Sequence, residues 1–128
     1  MKKLLILITL LFSIMMFSSP SYSNWTKVEG GSSGTTIFID FDSIKKVDGL
    51  IYFWELIDYL KPNPFGYFSG KAYKELDCKL MRFKYLSMSH HKAQMGQDVG
   101  KIRNPKNPKW MSIHSSLKRY NTVCNFYN

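Results

Sequence analysis

The reading turns on residues 50–60, LIYFWELIDYL, in which only Glu55 and Asp58 are charged. Side chains that are β-branched or aromatic suit a pleated surface, and this run is dense in them. It is too short, and at two points too polar, to cross a membrane. It therefore reads as the central strand of an antiparallel sheet. Phe53 and Ile57 fall on one face and Tyr52, Trp54 and Leu56 on the other. Apolar residues on both faces imply that both sides of this strand are at least partly covered.

Outward from that strand, the chain supplies its neighbours. Val47-Asp48-Gly49 reads as a tight hairpin, because Asp-Gly meets the positive φ angles such turns require. Thr35 to Asp40 then becomes the antiparallel neighbour, with Ile37 and Ile39 on one face and Phe38 on the other. Asp42 is placed to cap a short helical turn. Asn24 to Glu29 reads as a first strand anchored by Trp25 and Val28. The Gly/Ser cluster from Gly30 to Gly34 reads as a hairpin loop, not a phosphate loop, since no Lys-Ser/Thr pair or helical pattern follows it.

After the central strand, Pro62, Pro64 and Gly66 end the ladder. Phe65, Tyr67 and Phe68 make this connection aromatic. It reads either as a loop folded over an open edge of the core or as a sticky binding loop. Ser69 to Cys78 is a fourth strand, with Ala72, Leu76 and Cys78 on one face and Tyr73, Glu75 and Asp77 on the other. Lys79 to Ser89 is a fifth, joined to the fourth by a turn near Asp77 to Lys79. Met81, Phe83 and Tyr85 share one of its faces; Arg82 and Lys84 lie opposite with Leu80 and Leu86. His90-His91-Lys92 opens a polar loop, and Met95-Gly96 with Val99-Gly100 suggests a short sixth strand. A basic, proline-punctuated connection, residues 104–109, leads to Trp110 and Ile113, which mark re-entry to the core.

Ser115 or Ser116 starts a C-terminal helix, and Leu117, Tyr120, Cys124 and Tyr127 recur as one stripe of it. Lys118 and Arg119 sit near the helix start, where the macrodipole disfavours cations.

The first residues are read as a targeting segment. Lys2 and Lys3 precede an apolar stretch from Leu4 to Phe17, and Ser21-Tyr22-Ser23 offers small side chains for cleavage after Ser23. Residues 1–23 are thus expected to be a signal peptide and residues 24–128 a single domain. No Cys follows the apolar run, so a lipoprotein attachment point is not expected. A domain of this size buries only about 60–68% of its unfolded surface. Cys78 and Cys124 then matter: in an oxidising compartment a disulfide is their default state. Closing a loop of about 46 residues should stabilise the fold by roughly 4 kcal/mol in the chain-entropy model.

The formal net charge is +9 and is unevenly spread. From Asn24 to Cys78 six Lys face eight acids. From Lys79 to Asn128 ten Lys and Arg face Asp98 alone. A basic half attracts anionic partners, or serves as a solvated surface. Nucleic acid, the usual partner of such charge, is not expected outside the cytosol.

Trp25, Phe38-Ile39-Asp40, Ile44, Trp54-Glu55-Leu56, Glu75-Leu76-Asp77-Cys78, Met95-Gly96, Trp110, Ser116 and Cys124 together resemble the surface-adhesin protein E-like family of small exported bacterial proteins. The resemblance spans Asn24 to Cys124. It implies an α+β fold: an antiparallel sheet of about six strands with a C-terminal helix tied to one face by the Cys78–Cys124 disulfide. The founding adhesin of that family binds host extracellular-matrix proteins from the bacterial surface. This chain departs from the family's pattern at Asp98, at His114-Ser115, and in having no Cys after its leader.

The function expected is therefore that of an exported, non-catalytic binding domain, periplasmic, secreted or at the cell surface of a Gram-negative bacterium. Its partners would be anionic envelope components or extracellular-matrix-type proteins, met through Arg82, Lys84, Lys101, Arg103, Lys106 and Lys109. No cofactor and no transmembrane segment in the exported chain are expected. A homodimer is open, since an edge such as Asn24 to Glu29 is able to pair between copies. The alternative is a small enzyme drawing on Glu55, Asp40, Asp77, His90, His91 or His114. No Gly-x-Ser-x-Gly, His-Glu-x-x-His or Cys-x-x-Cys pattern supports it. Glu55 reads more simply as the partner of a neighbouring Lys or Tyr. The three histidines show no metal-ligand spacing.

Overall fold

A computed structural model describes residues 24–30 and 34–126. The expected signal peptide and its cleavage site, Gly31 to Ser33 of the first hairpin loop, and Tyr127 lie outside them. The described chain forms one antiparallel sheet with a single helix. The strands are β1 (Trp25–Gly30), β2 (Thr35–Asp40), β3 (Lys45–Val47), β4 (Leu50–Tyr59), β5 (Ser69–Asp77), β6 (Arg82–His91), β7 (Lys101–Arg103) and β8 (Met111–Ser112). The helix is α1 (Leu117–Asn125).

The sheet runs β1-β2-β4-β5-β6-β7, with β3 on β4 and β8 on β6. The expected count of about six matches this main path; the sheet has eight strands in all. β3 and β8 have three and two residues, too few for a period-two pattern to show. The expected sixth strand also moves. Residues Gln94–Gly96 form a 3-10 turn, and the strand is the following Lys101–Arg103. Met95, Gly96 and Gly100 all have positive φ, which breaks a ladder. β6 continues to His91, so the two adjacent histidines lie on a strand rather than in a loop.

β4 is central as its composition requires. Ile51, Phe53 and Glu55 point to the helix side and are almost fully buried, while Leu56 on the other side is buried too. On that second face Trp54 stacks on Tyr73 with ring centroids 5.0 Å apart. The turn before β4 carries Asp48 and Gly49 at φ 51° and 80°, the conformation that Asp-Gly favours.

Ile39, Ile51, Phe53, Leu76, Phe83, Ile113, Tyr120 and Val123 make up most of the core between sheet and helix. Val28 and Met81 pack against its margin. The buried helix positions are Tyr120 and Val123, whereas Leu117 is 48% exposed. The apolar stripe is therefore centred one residue away from the expected one. Ser116 holds the N-cap position in a left-handed conformation, and its hydroxyl makes no capping bond. Cys78 and Cys124 are joined, with Cα atoms 5.9 Å apart, so the last turn of α1 is fixed to the end of β5.

One irregularity sets which side chains share a face. Tyr73 pairs with Ser87 but Lys74 pairs with Tyr85, so Leu86 is an extra residue in β6. Such a bulge reverses the alternation beyond it. Phe83 and Tyr85 serve the helix-side core, and beyond the bulge it is Met88 and His90 that continue this face.

Candidate functional site

At the end of the sheet away from the disulfide, four segments converge: the end of β4, the start of β5, the end of β6 and the start of β7. The register shows it, with Asp58 opposite Ser69, Ser69 opposite His91, and His90 opposite Lys101. A cleft of about 260 Å³ opens there, lined by Phe65, Tyr67, His90, Lys101 and Arg103. The Tyr67 and His90 rings lie 5.2 Å apart. Lys101 and Arg103 are two residues apart on β7, on one side of the strand, and both are exposed. Among the described residues neither is held in an ion pair. The cleft thus joins two unneutralised cations to aromatic walls, a surface suited to an anionic group carried on an apolar body.

The loops that build this end are braced. The Asn63 carboxamide oxygen accepts bonds from the backbone N–H groups of Phe65 and Tyr67, each at 3.0 Å. Asn63 in turn donates its N–H to the Tyr67 carbonyl. Phe68 donates to the His91 carbonyl, tying the aromatic loop to β6. Across from it, the Asp98 carboxylate accepts from the N–H groups of Lys92 and Ala93 and lies 3.2 Å from His91 Nδ1. Desolvation opposes ionisation of Asp98, but these bonds and His91 together outweigh it and hold its carboxyl below the usual range. Ser69 donates to the Ala93 carbonyl and accepts from the Gly96 N–H. Asp98 is thus the residue that closes this loop.

The six basic residues expected to act together fall in three places. Arg82 bonds Asp77 at 3.1 Å, and its guanidinium lies 4.3 Å from the Trp110 ring. Lys84 lies 4.0 Å from Glu75 and also 4.3 Å from Trp110. Those two cations flank one indole on the helix-free face and each has an acid beside it. Lys101 and Arg103 line the cleft. Lys106 and Lys109 are exposed on the connection between β7 and β8.

Asp77 is structural. Desolvation would raise its pKa, but bonds from the Leu80 N–H, the Arg82 side chain and the Lys79 N–H outweigh it and hold the carboxyl low. A folded-state value below the unfolded one stabilises the fold above the unfolded value and loses that contribution as pH falls through the folded one. Asp77→Asn is therefore expected to lower stability at neutral pH and to flatten the loss of stability below about pH 4. Thermal unfolding followed from neutrality into acid checks this; parallel curves for both proteins would count against it.

Glu55 is fully buried and paired, as its central position suggests. Lys74 Nζ donates to its Oε1 at 2.9 Å and to the Tyr120 hydroxyl at 2.9 Å. Arg119 Nη1 reaches the same Oε1 at 3.2 Å, and Arg119 Nε reaches Glu29 at 3.2 Å. Burial opposes the Arg119 charge, but Glu55 and Glu29 hold its pKa above the ordinary value. Its position near the helix start, unfavourable for the macrodipole, is set by these two acids. Lys74 is enclosed by the rings of Phe83, Tyr85 and Tyr120 at 4.7–5.2 Å.

The remaining candidates for catalysis lie apart. Asp40 caps the Phe41–Ser43 turn by accepting from the Asp42 N–H. His91 is buried against Ser89 and Asp98, His90 faces Tyr67, and His114 is exposed beside the N-terminus of α1. Among the described residues no three or more His, Cys, Asp or Glu come together as a metal site. No helix among them is long and apolar enough to cross a membrane.

Lys74 and the convergence of Phe65 with Lys101 were not read from the sequence. A signal for the first existed: Lys74 alternates with Ala72 and Leu76 on an apolar face, opposite a strand with a lone Glu. For the second there was only the aromatic composition of the loop.

Comparison with known proteins gives a consistent picture. A family model described as surface-adhesin protein E matches residues 25–125. Crystal form II of Haemophilus influenzae protein E is similar to this chain with a TM-score of 0.58 and 18% identity. The match covers 84% of this chain and 92% of that one. Another structure of Haemophilus influenzae protein E matches at 0.53 with 19% identity, over 84% and 86% of the two chains. At such identity the structures speak to the fold. A comparison with curated protein sequences finds no significant match.

Proposed function

The chain belongs to the surface-adhesin protein E family, and from that premise we propose that it is an exported, non-catalytic binding domain that engages an anionic envelope or extracellular partner through its basic edge. The observation that carries this reading is the cleft where Lys101 and Arg103, free of ion pairs, stand beside Phe65 and Tyr67. Residues 1–23 act as the export signal in this reading, and the Cys78–Cys124 bridge suits the oxidising compartment beyond it. Lys106 and Lys109 extend the positive field along the next connection. Arg82 and Lys84 contribute less, because Asp77 and Glu75 offset them. Extracellular-matrix-type proteins with acidic surfaces fit such an edge, as do anionic envelope components.

Charged clusters act chiefly by steering association, and their effect is screened by salt. Binding to immobilised matrix proteins and to an anionic polysaccharide column is expected to weaken as salt rises. K101E/R103E should weaken it further, by about tenfold or more at low salt. R82Q/K84Q should have a smaller effect. Binding that ignores salt, or that survives K101E/R103E intact, would remove the basic edge as the contact surface.

A further inference from the structure

The four most exposed large apolar side chains among the described residues are Val99 (89%), Phe65 (82%), Leu60 (71%) and Ile102 (66%). All four lie at the same end of the sheet. Leu60 directly follows β4, Phe65 is near the tip of the β4–β5 connection, Val99 just precedes β7, and Ile102 is the second residue of β7. Singly scattered apolar side chains on a surface need no explanation, but a group gathered at one end does. Their supporting segments are hydrogen-bonded. Asn63 fixes the backbone on both sides of Phe65, Leu60 donates its N–H to Gly34, and Asp98 closes the turn that leads into Val99. The exposed side chains thus project from hydrogen-bonded loops.

The charge around them is net positive. Lys61, Lys92, Lys101 and Arg103 are exposed at this same end. Its acids, Asp58 and Asp98, are occupied: Asp58 accepts from the Met95 N–H at 2.7 Å, and Asp98 accepts from Lys92 and Ala93. Apolar prongs on separate loops, interspersed with cations, match the chemistry of a lipid interface. There apolar groups enter the boundary between headgroups and acyl chains, while cations meet phosphates. A bilayer also accommodates separate prongs without requiring a shaped groove.

We propose that this end of the sheet docks on an anionic lipid bilayer, with Leu60, Phe65 and Val99 entering the interface and Lys61, Lys92, Lys101 and Arg103 pairing with lipid phosphates. The proposal deepens the reading of the basic edge, on which it rests through Lys101 and Arg103.

The test is cosedimentation of the purified protein with phosphatidylcholine vesicles, with and without phosphatidylglycerol. Binding is expected only where phosphatidylglycerol is present. F65S/V99S should weaken it about tenfold or more, the size expected when apolar side chains are withdrawn from an apolar environment. K101E/R103E should weaken it by at least about fivefold for each cation. All four positions are exposed, so unchanged thermal unfolding is expected of each variant. A V99W variant should show a blue shift in emission on these vesicles, larger than that of the native protein, whose tryptophans at 25, 54 and 110 lie away from this end. Absence of vesicle binding overturns the proposal. So does vesicle binding that charge reversal abolishes but F65S/V99S leaves intact; the basic-edge reading would then survive alone. If F65S/V99S loses matrix-protein binding while keeping vesicle binding, the prongs serve a protein partner and the bilayer proposal falls.

Discussion

Glu55→Ala is expected to destabilise the protein by about 3–5 kcal/mol, the cost of breaking a buried ion pair by removing one partner. The Glu55 and Lys74 side chains are 0% and 1% exposed, and Lys74 and Arg119 both bond the same carboxylate oxygen. Without Glu55, Lys74 is left among three rings with only the Tyr120 hydroxyl as acceptor. Burial already drives the Lys74 pKa down, against the pull of Glu55; removing Glu55 leaves that effect unopposed. A lysine whose folded value lies below its unfolded value costs stability at low pH. It returns that stability as pH rises from the folded value towards about 10.4. The Glu55→Ala protein should therefore recover stability in alkali more steeply than the native protein. Lys74→Met removes the buried charge with an apolar side chain, leaves Glu55 with Arg119, and should cost less than half as much. Urea unfolding of the singles and the Glu55→Ala/Lys74→Met double gives the coupling. Additive losses would show that the two groups do not act as a pair.

The second large effect is expected on opening the Cys78–Cys124 bridge. Replacing both cysteines by serine should cost about 2–5 kcal/mol. The helix has nine residues, too few to persist alone, so it depends on its contacts through Tyr120, Val123 and the bridge. The sheet is expected to outlast it: the helical far-ultraviolet signal should fade at lower denaturant than the strand signal in the serine variant, whereas the two coincide in the native protein. Loss of less than about 1 kcal/mol would mean that packing alone holds the helix.

These two features differ in how readable they were. The pair of cysteines in a chain with an export-like leader points to a bridge, and β4 declares itself by composition. The Asp48-Gly49 turn is readable because few residues accept its φ angles. Lys74 was only weakly readable as a core residue: it alternates with the buried Ala72 and Leu76, but a lysine on a strand ordinarily reads as solvent-facing. Its partners Glu55 and Tyr120 are 19 and 46 positions away, beyond any local pattern. β7 was misplaced because Lys101, Ile102 and Arg103 are all exposed, so no alternation marks them. The Leu86 bulge was invisible for a related reason: one inserted residue reverses the facing of everything after it. Phe65 and the β7 cations meet only because the sheet order sets β4, β5, β6 and β7 side by side, which residue spacing does not reveal.

The Leu86 bulge has an evolutionary consequence. Side chains before it are constrained by the helix and the bridge, while those after it answer to the loops at the opposite end. The extra residue is expected to uncouple the facing of the two halves of one long strand. Substitutions and insertions at the loop end can accumulate without disturbing the clamped half, as variable loops do on other rigid frameworks. Homologues sharing the bulge should differ most in the connections after β4 and β6, and these are the positions at which a library of altered binding specificities would be built.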